Sequence, residues 1–132
     1  MRNRTEKMIA ELLVEELLNS NKLVSVNDGE ETTVRKSDNR KEIVDALGTT
    51  DSDTLEVFRP DGERVGYFWL IWGNGRDLIS DYGGNNYNIK YIEDLADTVD
   101  EKLDAHLDVL DRWERQENLR YRRYSDRAGD RG

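Results

Sequence analysis

Apolar residues along this chain fall into runs whose spacing switches from helical to alternating and back. Met8, Ile9, Leu12, Leu13, Leu17 and Leu18 recur at helical steps while Glu11, Glu15 and Glu16 take the other side, which predicts a helix over 6–19 with Thr5 as N-cap. Two β-prone runs, 23–27 and 31–36, flank Asp28-Gly29-Glu30. Glycine there accepts the positive φ of a tight turn, so a hairpin is expected. A second, short helix should follow. Asn39 caps it with Glu42 at capping-box spacing, Ile43, Val44 and Leu47 form its buried side, and Gly48 stops it.

Three more strands are predicted at 54–59, 64–72 and 77–82, joined through Pro60-Asp61-Gly62 and Gly73-Asn74-Gly75. The middle one is apolar on both sides: Val65, Tyr67, Trp69 and Ile71 alternate with Phe68, Leu70 and Trp72. That pattern suits a central strand covered on two faces. In the last segment Ile89, Ile92, Ala96, Val99, Leu103, His106, Leu110 and Trp113 step by three and four, a heptad seam. At 1.5 Å per residue, 89–113 spans ~36 Å, longer than one small sheet requires. The expected architecture is α+β in the order α-ββ-α-βββ-α. An antiparallel sheet of about five strands packs against helices within one domain, 1–124, which closes on a long helix over about 89–124. Residues 125–132 are expected to be a disordered tail.

Charge changes the picture next. The net charge is −9, and residues 114–132 carry six arginines against four acids, which leaves −11 on the preceding body. Such a body repels nucleic acid and anionic lipid and attracts basic surfaces. The last helix concentrates the effect: Glu93, Asp97, Asp100, Glu101, Asp104, Asp108 and Asp111 fall on one side of a helical wheel. Carboxylates at these spacings repel one another, so the arrangement costs helix stability that Glu-Lys alternation would have kept. Two readings stand: a row that imitates a strand of phosphates for a basic protein, or an ordinary solvated face.

The remaining chemistry is sparse. With no cysteine there is neither disulfide nor thiolate zinc site. The single His106 lies in the seam, where Val99, Leu103, His106, Leu110 and Trp113 would suit pairing with a second copy. Asp51-Ser52-Asp53 and the aspartates of 77–81 lack the EF-hand pattern and read as turn and cap residues. Gly73-Asn74-Gly75 lacks the Lys-Ser/Thr of a phosphate loop. Arg115, Arg120, Arg122, Arg123 and Arg127, interleaved with Tyr121 and Tyr124, read either as a weak nucleic-acid-contacting segment or as a frayed helix end. No catalytic residue, metal or cofactor is expected, and neither a signal peptide nor a membrane span is read, which points to the cytoplasm.

The stretch from Val65-Gly66-Tyr67-Phe68-Trp69-Leu70-Ile71-Trp72-Gly73-Asn74-Gly75 to Tyr82, with the hairpin at Asp28-Gly29-Glu30, resembles a segment of small acidic proteins of phages and prophages over residues 22–82. That resemblance implies a host-cytoplasm context and an inhibitor of host machinery such as a restriction or CRISPR effector. The functional expectation is therefore a non-enzymatic protein-binding module that docks its acidic helix, in the manner of a DNA mimic, on a basic nucleic-acid-binding protein. The alternative is an assembly protein that homodimerises through the C-terminal helix.

Overall fold

The structure is a computed structural model that describes residues 3–129, with the side chains of 110, 111 and 113–129 outside the description. Two compact units divide the chain, Met1–Asp100 and Glu101–Gly132. The first holds α1 (Arg4–Asn19), β1 (Leu23–Asn27), β2 (Thr32–Ser37), α2 (Arg40–Ala46), β3 (Ser52–Phe58), β4 (Arg64–Ile71), a 3-10 turn (Gly75–Asp77), β5 (Ile79–Gly84) and the start of α3. The α-ββ-α-βββ-α order and the α+β class are those expected. The second unit is built on the rest of α3, which runs Ile89–Gly129, past the expected end near Tyr124.

Local chemistry explains the element ends. Asn3, not Thr5, caps α1: its side chain accepts a hydrogen bond from the Glu6 amide at 2.7 Å, and the Glu6 carboxylate reaches back to the Asn3 amide. The other Glu6 oxygen accepts the Gly73 amide at 2.6 Å, which ties this cap to the β4–β5 turn and buries the carboxylate. Asn39 caps α2 by accepting from the Glu42 amide at 3.1 Å. Asp28 shapes the first hairpin by accepting the amides of Glu30 and Glu31, and these bonds hold its carboxyl below the usual range. Gly29 there sits at φ +100°.

All strand pairs are antiparallel, in the order β2-β1-β3-β4-β5. Register sorts the sheet into two faces. One carries the rows Val26–Leu55–Phe68–Tyr82 and Val24–Val57–Gly66–Gly84, and takes the helices: Leu13, Val14 and Leu17 of α1, Ile43 of α2, and Ile92, Leu95 and Val99 of α3 complete the core. The opposite face carries Asn27–Thr54–Trp69–Asp81 and Ser25–Glu56–Tyr67–Gly83. There Trp69 is 41% exposed, with Thr54, Glu56 and Tyr67 only half-buried. The central strand is thus β3, and β4 is covered on one face, not two.

One buried carboxylate organises the α2–β3 and β4–β5 ends. Asp53, on the helix-covered face, accepts the Trp72 indole N–H at 2.7 Å and the Gly48 amide at 2.8 Å. The Trp72 amide donates to the Asp51 carbonyl.

Candidate partner-binding surfaces

Helix α3 positions the acidic residues. In the first unit Glu93, Asp97 and Asp100 are exposed; in the second, Glu101, Asp104 and Asp108 are exposed as well. The Asp111 side chain lies outside the described residues. The row is thinner in charge than the helical wheel suggests, because Arg76 approaches Asp100 at 4.0 Å and Arg112 pairs with Asp108 at 3.0 Å. Exposed pairs of this kind contribute ~0–1 kcal/mol and leave the carboxylates hydrated and accessible.

The apolar side of α3 differs from the expected seam. Ile92, Leu95, Val99 and Leu103 are the buried set, with Ala96 only half-buried. Val99 and Leu103, two members of the expected dimer seam, are each 1% exposed in a single copy. His106 is exposed, and so is Val109. Leu110 and Trp113, the remaining members of that assignment, lie outside the described residues, as do the side chains of the Arg/Tyr tail.

A second surface comes from the open sheet face, which the sequence reading assigned to the core. Arg64, Tyr67, Trp69, Thr54 and Asp81 line a shallow depression of about 370 Å³. Arg64 pairs with Glu56 at 3.4 Å and lies 5.7 Å from the centre of the Tyr67 ring. The Tyr67 hydroxyl donates to Asp81 at 3.2 Å. That donated bond, with the Asp81 charge behind it, holds the phenol above its ordinary range. The neutral phenol is the favoured form, so any stability it contributes is full below the ordinary tyrosine pKa and fades as pH rises through the elevated one. Asp81→Asn should move the Tyr67 titration back toward the ordinary value, read by NMR of ring-labelled tyrosine. An unchanged titration would mean that the bond is absent in solution.

A third depression, about 270 Å³, lies between the end of α1 and the first turns of α3, lined by Glu16, Ser20, Tyr91, Asp94 and Leu95 among others. Ser20 and Tyr91 hydroxyls share a hydrogen bond across it, and the Lys22 ammonium sits 4.8 Å from the Tyr91 ring centre. Burial pushes the Tyr91 phenol up. The ring and hydroxyls are thereby engaged in holding the two helices together.

Among the described residues no group of three His, Asp or Glu side chains gathers to hold a metal ion, and no helix is long and apolar enough to cross a membrane. No family model, curated protein or solved structure matches this chain.

Proposed function

We propose that this chain is a non-enzymatic binding protein whose partner presents a basic, nucleic-acid-binding surface, with a phage-type inhibitor of a restriction or CRISPR effector as the fitting context. The observation that carries the reading is the solvent exposure of Glu93 and Asp97 in the first unit and of Glu101 and Asp104 in the second. Hydrated carboxylates on a chain of net charge −9 attract a basic partner over about a Debye length, ~8–10 Å at moderate salt.

Two charge reversals test this, one per unit: Glu93→Lys with Asp97→Lys, and Glu101→Lys with Asp104→Lys. Wild-type protein should capture a basic nucleic-acid-binding protein from a bacterial lysate at low salt and release it at high salt. At least one reversal should weaken that capture about tenfold or more while melting stays unchanged. If both variants retain the partner fully, α3 is not the docking element.

A further inference from the structure

On the open face of the sheet, β4 has the composition of a covered strand. β4 alternates Phe68 and Leu70, which the helices bury, with Tyr67, Trp69 and Ile71, which point the other way. A strand apolar on both sides is characteristic of a sheet packed on both sides, yet the chain buries one face and leaves Trp69 41% exposed on the other. Phe58 extends the same face on β3.

Charge identifies what covers it. The face carries Lys36, whose ammonium sits 4.8 Å from the Phe58 ring centre, together with Arg64, Glu56 and Asp81, so that both signs of charge lie on it while the chain as a whole carries −9. A basic partner gains little from a surface that already carries cations. Two copies of this acidic chain, by contrast, can approach through a face of mixed sign without the repulsion that two α3 acidic rows would bring. We propose that the open sheet face is a homodimer interface, with Trp69 at its centre and Tyr67, Thr54 and the Arg64–Glu56 pair around it.

An isologous contact needs one self-complementary patch, and a face holding both signs of charge around an aromatic centre meets that requirement. Sheet-on-sheet packing sets the two layers ~10 Å apart, with side chains interleaved. Five strands at ~4.8 Å spacing and roughly six residues of ~3.3 Å give a projected area of roughly 500 Å² per copy. Side-chain relief enlarges that figure toward the ~800 Å² that a standard interface buries per partner. The expected assembly is a reversible dimer, not an obligate one.

Sedimentation velocity of the full chain from about 1 µM to about 500 µM tests the proposal directly. Wild type should shift from monomer to dimer as concentration rises. Added salt should strengthen association by screening the net charge, the opposite of its effect on a basic partner at α3, so the two readings stand or fall separately. Trp69→Lys and Thr54→Lys should each weaken self-association at least ~tenfold. Thr54 lies beside Trp69 in the register and outside the core, so its variant reports even where the tryptophan variant fails to fold. A chain that stays monomeric throughout leaves the face to another occupant and overturns the proposal. So does a dimer indifferent to both substitutions, or one that salt dissociates.

Discussion

Replacing Asp53 by alanine is expected to destabilise the fold by roughly 2–5 kcal/mol, a large share of what a domain of this size possesses. Its carboxylate is 1% exposed and serves as acceptor for two groups far apart in sequence, the Trp72 indole N–H and the Gly48 amide. Alanine deletes that shared acceptor and leaves a polar-sized gap where water is excluded. Buried donors deprived of a partner cost ~1–3 kcal/mol each. Asp53→Asn keeps the shape and one acceptor oxygen, so it should lose clearly less. Urea unfolding monitored by far-UV circular dichroism measures both. An alanine variant within about 1 kcal/mol of wild type would show that the clamp contributes little.

Gly66→Ala is the second large effect, about 3 kcal/mol. A Cβ at Gly66 would stand 2.2 Å from the Gly83 carbonyl oxygen, 3.0 Å from Ile92 Cγ1 and 3.1 Å from the Gly84 Cα. The obstacle is largely backbone on β5, backed by α3, so neither rotation of a side chain nor a small shift relieves it. Either the β4–β5 ladder opens or α3 lifts. Gly83→Ala is the matched control: its Cβ would meet the Tyr67 ring at 3.0–3.3 Å, and that ring can rotate toward solvent. It should cost under about 1 kcal/mol. Hydrogen exchange should show the β5 amides deprotected in the Gly66 variant alone.

The elements were legible from period and punctuation. Helical steps in 6–19, the Asp28-Gly29 turn and the Asn39 cap all appear where spacing and side-chain chemistry place them. What the pattern does not encode is which layer covers each face. Tyr67, Trp69 and Ile71 read as buried because a periodicity argument registers only that a side is apolar, and tryptophan and tyrosine tolerate half-exposure. In α3 the three-four stepping fits Leu95 as well as Ala96, and the larger side chain takes the buried position. Exposure of the α3 acids was readable from the helical wheel. Their pairing with Arg76 was not, since that contact depends on how the β4–β5 turn folds back in space.

The bond from the Gly73 amide to the Glu6 carboxylate spans 67 positions. Completion of the α1 cap is therefore a long-range event, not a local one. The capping box can form at once from neighbours, but the acidic side chain has no mate for its second oxygen until the fourth strand and its turn have left the ribosome. Closing so long a loop is entropically costly, with the penalty growing only slowly with length. The Asn3–Glu6 cap is thus completed only when a distant turn folds back on it, and a substitution that removes the Glu6 carboxylate would loosen that turn as well as the start of α1.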